Sequence, residues 1–464
     1  MNDDRAAGPD LVGIGIGPAN LGLSALVDPQ PALTARFFER RSRFAWHDGA
    51  MLPAAALQVP PLKDLVTLVD PTSRFSFLNF LAEQGRLYRH LIASRSGTPR
   101  EEFEQYYRWA ADLMPQLTFG TEITEVRADG EELTVHDATG GVTRTRNLVL
   151  GSGRRPHVPR CVTARGARVL HAAEVMHRCP DTLGRRVAVI GGGQSGAEIV
   201  HWLLGDKDML PSSLVWSTRR DGFLPLDDSA FSNEWYFPGY VRHFTRLSAT
   251  RRAALLRTQR MTSDGVSADL LDAIHAQLYR LDALRPGHCA YRLSPGQELL
   301  AVDGGAGDAP IDVVTRDIDT DSVHREHVDV VILATGYRNS APAYLEPLRE
   351  LIPVDEDGAF HVREDYSIEF DGPPGCRIFV QRGRRQPQPD GLAQRRDRER
   401  RRRPRPLPHG RGQQHRHLVP RRGPAHHHPS HRHPARHHPA RHHPAGEHHP
   451  CLTHPPTPAA PWAA

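Results

Sequence analysis

Two glycine clusters, each closing an apolar run, are the residues best suited to chemistry in this chain. The first is VGIGIGPANLGL, which spells Gly15-x-Gly17-x-x-Asn20. Gly15 permits a tight turn from strand to helix, and Gly17 lets the backbone approach a pyrophosphate lying on a helix N-terminus. Pro18 follows at the first helical position, where no N–H is needed. Asn20 stands where the third glycine of the pattern is usual. Glu39 ends the next apolar run, where a carboxylate can accept from a ribose hydroxyl. The second cluster, Gly191-x-Gly193-x-x-Gly196, is unbroken and holds Gln194 and Ser195 at its turn. After the following strand, SLVWS, an acidic residue would favour NAD, but the chain has Arg219 and Arg220. Guanidinium groups there suit the 2′-phosphate of NADPH. A structural turn at the first cluster and two solvated arginines after the second are the plain alternatives. Two dinucleotide sites imply electron transfer between cofactors, most simply from a nicotinamide to a flavin. Side chains do no one-electron oxygen chemistry of their own, so the flavin would carry it.

The elements that must position these residues alternate between strand and helix. DLVGIGI reads as a strand, NLGLSALV as a helix and TARFFER as a second strand, together a βαβ unit at the start. TPREEFEQYYRWAADLM reads as a helix with Thr98 as N-cap and Pro99 at its first position, burying Phe103, Tyr106, Ala110 and Leu113. Thr121 to Asp137 alternates like a hairpin, and NLVLGSG and VDVVILATGY read as buried strands reaching glycine turns. RRVAVIGGGQSGAEIVHWLL opens a second βαβ unit. The fold class is therefore α/β: two Rossmann-like dinucleotide-binding domains, the second inserted in the first, with a small substrate region. The expected boundaries are 1–180 and 326–381 for the two parts of the first domain, 181–325 for the second, and 382–464 for a low-complexity tail.

The formal net charge of +5 hides two unlike parts. From Arg382 onward there are 18 Lys+Arg and 4 Asp+Glu, so the tail is near +14 and the body near −9. An acidic body argues against nucleic-acid binding, which needs basic residues clustered on a folded face. The five cysteines include no CxxC pair, which fits neither a disulfide framework nor a structural zinc site and suits a reducing, cytoplasmic setting. The polar start, MNDDRAAGPD, is unlike a signal peptide, and no apolar run is long enough for a membrane span.

Between the clusters lies RFAWHDGAMLPAAALQVPPLKDLVTLVDPTSRFSFLNFLAEQGRLYRHL. With GIGPANLGL, GGGQSGAE, DDSAFSNEWYFPGYV and LATGY, it resembles the flavin-dependent N-hydroxylating monooxygenases of siderophore biosynthesis, from about Asp10 to Gln381. Within that family it is most similar to the lysine N6-hydroxylases. Ornithine and diamine (putrescine or cadaverine) hydroxylases share the same blocks. The resemblance implies FAD on Gly15, Gly17, Pro18, Asn20 and Glu39, with Trp46 and Gln58 beside the flavin ring. It implies NADPH on Gly191, Gly193, Gln194, Ser195 and Gly196, with Arg219 or Arg220 near its 2′-phosphate. Thr335 and Gly336 would lie where the peptide folds back on the bound nucleotide. Lys63 matches the lysine that binds the substrate carboxylate and Asn233 the asparagine that assists it. Their plain alternatives are a surface pair of Lys63 with Asp64 and a turn cap after Phe231. The implied reaction is hydroxylation of the terminal amine of L-lysine to N6-hydroxylysine, and the implied assembly is a homo-oligomer.

Past RIFVQ (Arg377 to Gln381) apolar periodicity stops. Residues 382–464 carry 15 His and 16 Pro against four Leu, one Val and one Trp. Such a composition cannot bury enough apolar surface to offset the entropy of ordering it. A metal-binding His-rich tail and an ordinary disordered extension are two readings. A shift of reading frame near residue 382 is the third and preferred one, because GC-rich DNA read out of frame yields such runs. On that reading an inactive flavoprotein remnant is the alternative to an active enzyme.

Overall fold

The computed structural model describes residues 8–381, apart from 54, 95–96, 165, 179 and 356–357. The expectations for the tail, 382–464, fall outside the described residues. Two parallel five-stranded sheets form the frame. The first begins with β1 (Leu11–Ile14), β2 (Ala35–Glu39), β3 (Leu117–Phe119) and β4 (Asn147–Leu150). The second holds β5 (Val169–His171), β6 (Arg186–Ile190), β7 (Ser213–Ser217), β8 (Ala290–Ser294) and β9 (Val330–Leu333). The chain then returns to the first sheet with β10 (Arg377–Val380). The strand orders are β10-β4-β1-β2-β3 and β8-β7-β6-β9-β5.

Insertion of the second unit in the first is thus the observed topology, but its edges lie further out than expected. β5 pairs in register with β9, and β9 with β6. Both flanks, assigned from sequence to the first domain, therefore belong to the second sheet, which runs from Val169 to Leu333. A buried apolar strand such as VVIL carries no mark of which sheet it joins. Only its pairing settles that.

Four helices matter for the site: α1 (Pro18–Val27), α2 (Arg100–Asp112), α3 (Gln194–Gly205) and α4 (Ala268–Ala283). α1 and α3 each start directly after a glycine cluster, and neither has a side-chain cap at its N-terminus. Their first N–H groups are left for another acceptor. α2 buries Phe103, Tyr106, Tyr107, Ala110 and Ala111 against Phe37, Phe75, Phe77 and Leu21, an aromatic core of the first unit. It starts at Arg100, after the expected Thr98 cap, for a physical reason. Ala56 forms an antiparallel bridge with Pro99, Leu57 N–H donates to Thr98 C=O, and Arg100 N–H donates to Ala55 C=O. Pairing consumes the backbone that a cap would need. The three-stranded sheet over Ile123–Asp129, Glu132–Asp137 and Val142–Thr145 packs with Tyr344, Leu345 and Leu348 in another core of the first unit. The segment after Trp46 reaches across to the second unit, where Leu52 is buried beside Leu170, Val175 and Val187. Among the described residues no helix is long and apolar enough to cross a membrane.

Candidate active site

Both glycine loops divide their glycines between packing and open space. Gly15 has φ +87, and a Cβ there would lie 2.7 Å from the Gly151 carbonyl oxygen. Gly191 has φ +135, and its Cβ would lie 2.1 Å from the Ala334 oxygen. The protein's own backbone requires these two glycines. Gly17 and Gly193 differ: the nearest heavy atoms to a Cβ would be 4.0 Å and 3.9 Å away. Nothing in the protein forbids a side chain there, so the bare backbone is kept for something outside it. That is the cradle a dinucleotide pyrophosphate fits, at an uncapped helix N-terminus in each unit.

Asn20 replaces the third glycine by a bond. It is fully buried, and its Nδ2 donates to the Gly15 carbonyl at 2.7 Å, which ties the loop to α1. Glu39 accepts from Ile16 N–H at 2.9 Å, so the carboxylate closing β2 lies against the same loop, as a ribose acceptor must. In the second loop a Cβ on Gly196 would lie 2.1 Å from the Gly191 oxygen, the close helix–strand packing expected of a third glycine. Ser195 is half-buried in the first turn of α3.

The two arginines part company. Arg220 Nη1 donates to the carbonyls of Gly192 and Asp264, and burial draws its pKa down from the usual value. Its Nη1 thus holds the loop, while the side chain stays 19% exposed and Nη2 lies 3.9 Å from where a Cβ on Gly193 would be. Arg219 is exposed. Thr335 donates to the His157 carbonyl, and Gly336 C=O accepts from His157 N–H at 2.9 Å and contacts the His171 ring at 3.0 Å. LATGY therefore folds back onto the segment that leaves β4. Burial, with Arg338 and Arg219 nearby, pushes the His157 pKa down to about 4.

Lys63 and Asn233, 170 residues apart in sequence, meet: Lys63 Nζ donates to Asn233 Oδ1 at 3.4 Å and lies 5.8 Å from the centre of the Tyr236 ring. Asp64 turns away from Lys63. Its carboxylate accepts from the N–H groups of Val66, Thr67 and Phe77 and from the Thr67 hydroxyl, which shapes the loop. Asn233 also serves its turn, since Nδ2 donates to the Asp228 and Ser229 carbonyls. The loop presses on α1: a Cβ on Gly22 would lie 3.0 Å from the Leu65 oxygen. Pro18, Ala19 and Gly22 of α1 line one groove together with Lys63, Leu65 and Tyr107. Trp46 packs edge-on to Tyr107 at 5.1 Å, and Gln58 Nε2 donates to Gln194 Oε1 at 2.9 Å. Sequence reasoning missed Tyr236, His157 and the ion pair of Arg100 with Glu198. The last left one trace, a carboxylate among the apolar residues of GAEIVHWLL. Among the described residues no cluster of His, Cys, Asp or Glu could hold a metal ion.

Residues 8–339 match the model of the L-lysine 6-monooxygenase/L-ornithine 5-monooxygenase family. The chain is 36% identical over 373 residues to the L-lysine N6-monooxygenase of Escherichia coli, covering 80% of this chain and 87% of that protein. Among solved structures it resembles the FAD-bound cadaverine monooxygenase of Erwinia amylovora, with 32% identity, TM-score 0.74, and coverage of 81% and 88% of the two chains. It also resembles the ornithine N-hydroxylase of Kutzneria sp. 744 with reduced FAD, NADP+ and L-ornithine, with 30% identity, TM-score 0.73, and coverage of 81% and 92%. On these matches the chain belongs to the family of flavin-dependent lysine and ornithine N-monooxygenases.

Proposed function

We propose that the protein hydroxylates the terminal amine of L-lysine, giving N6-hydroxylysine for a hydroxamate siderophore, with FAD on the first glycine loop and NADPH on the second. The observation that carries this reading is the approach of Lys63 to Asn233 at 3.4 Å, with Lys63 lining a groove beside the start of α1. When bound, FAD supplies the activation of oxygen, at the expense of NADPH. The chain's own residues bind and orient. The Lys63 ammonium takes the α-carboxylate of the amino acid, and Asn233, held by its turn, keeps that ammonium in place. Fixing the head group there directs the side-chain amine back along the groove. Glu39 and Asn20 fix the first loop, and Arg219 receives the 2′-phosphate that separates NADPH from NADH.

A cationic Lys63 attracts the carboxylate of an amino acid. Steady-state kinetics of Lys63→Ala test the assignment. Loss of a charge-assisted contact worth about 1.5–3 kcal/mol raises KM for lysine by roughly 10- to 150-fold. The value of kcat changes little, because the contact is remote from the reacting amine. Unchanged KM would remove Lys63 from the site.

A further inference from the structure

The second glycine loop is tied to the first unit by a buried polar chain. Arg100, the first residue of α2, gives both arms of its guanidinium to Glu198 on α3, Nη1 to Oε2 at 2.9 Å and Nη2 to Oε1 at 2.5 Å. The two side chains are only 14% and 8% exposed. One turn earlier on α3, Gln194 Nε2 donates to the same Oε1 at 2.8 Å. Gln194 Oε1 in turn accepts from Ser267 N–H and from Gln58 Nε2, each at 2.9 Å. Gln58 and Arg100 issue from one place, the antiparallel bridge of Ala56 with Pro99. The first unit thus grips the opening turns of α3 with two prongs from a single stretch of paired backbone.

Among the described residues two other ion pairs cross between the units, Asp48 with His177 and Arg246 with Glu364, and both are largely exposed. Such pairs contribute little. A buried bidentate pair is different, since the planar fork fixes orientation as well as distance, and either partner left alone is an uncompensated charge. It adds little net stability over an apolar pair of the same shape, but it admits fewer arrangements. The Arg100 guanidinium also lies close enough to act on His47, next to Trp46, and on Tyr337, at the end of LATGY. Segments of both units converge on it.

We propose that Arg100 and Glu198 are positioning residues: their pair sets the opening turn of α3 against the first unit, and so sets how the dinucleotide on one loop approaches that on the other. This rests on the reading that both loops bind dinucleotides. The test compares Arg100→Gln, Glu198→Gln and the double variant, each loaded with FAD and mixed anaerobically with rising NADPH while flavin bleaching is followed. The dependence of the bleaching rate on NADPH concentration gives the apparent NADPH affinity, and hydrogen exchange reports residues 55–58 and 193–198. The limiting bleaching rate is expected to fall roughly 10- to 100-fold, as for a small misplacement of reacting groups. The double variant should be no slower than the slower single one, and NADPH affinity should stay within about threefold, because the two residues act through one contact. Exchange should rise in both segments.

A limiting rate held within about twofold, or losses that multiply in the double variant, would overturn the proposal and leave the pair a structural bond. Failure of the underlying reading looks different: wild-type protein would then neither bind NADPH nor be bleached by it. If the Gln variants do not fold, Arg100→Lys, which keeps the charge but not the fork, is read in the same way.

Discussion

At the residue scale, the middle glycines make the sharpest predictions, because nothing in the protein needs them. Gly17→Ala and Gly193→Ala should leave the melting temperature within a degree or so, about 0.5 kcal/mol or less, as for substitutions that meet no neighbour. The first should weaken FAD binding and the second NADPH binding, each measured by titration. Gly15→Ala should instead destabilise the fold by about 1–3 kcal/mol or more, from backbone strain alone. Arg219→Ala should raise KM for NADPH roughly tenfold or more while leaving KM for NADH nearly unchanged, since only the former carries the phosphate. An equal effect on both would remove Arg219 from that role. The glycine patterns, Glu39 and the Lys63 block were legible in sequence because each is a local signature. The different surroundings of Arg219 and Arg220 were not. They depend on Gly192 and Asp264 offering carbonyls to one of them, and no spacing rule shows that.

At the element scale, the loop that presents Lys63 owes its shape to Asp64, which accepts from three backbone N–H groups and one hydroxyl. Asp64→Ala leaves those donors without a partner and should cost about 1–3 kcal/mol of stability. It should also raise KM for lysine without touching the substrate, read by comparing denaturant midpoints with steady-state kinetics. An unaltered KM would show that the loop holds its form without Asp64. The strands and helices were legible from apolar periodicity, and the insertion of one unit in the other from the order of the glycine clusters. What periodicity could not reveal was pairing. β5 and β9 read as belonging to the first domain, and Thr98 read as a cap although its neighbours bridge to Ala56. Long-range hydrogen bonds decide such cases, and a single sequence carries little trace of them.

At the scale of the whole molecule, His47, His157 and His171 have their pKa values lowered, in each case chiefly by burial. A histidine whose folded pKa lies below its unfolded value of 6.5 binds its proton more readily in the unfolded chain. Stability therefore falls as pH drops below 6.5, and for His157 the fall continues to about pH 4. Melting curves across that range should show a declining Tm, less steep in His157→Gln, and a flat profile would contradict the burial of these rings. The formal charge of +5 is the sum of a body near −9 and a stretch beyond Gln381 near +14. Relatives of the chain act on small amines, and the proposed substrate is L-lysine. The most direct test of that claim is a product assay on the full chain with FAD, NADPH and oxygen, offering lysine, ornithine, putrescine and cadaverine in turn. Lysine-dependent hydroxylamine, formed in proportion to the NADPH consumed and in preference to the other three, is the predicted result; NADPH consumption with no hydroxylamine from any amine would contradict it.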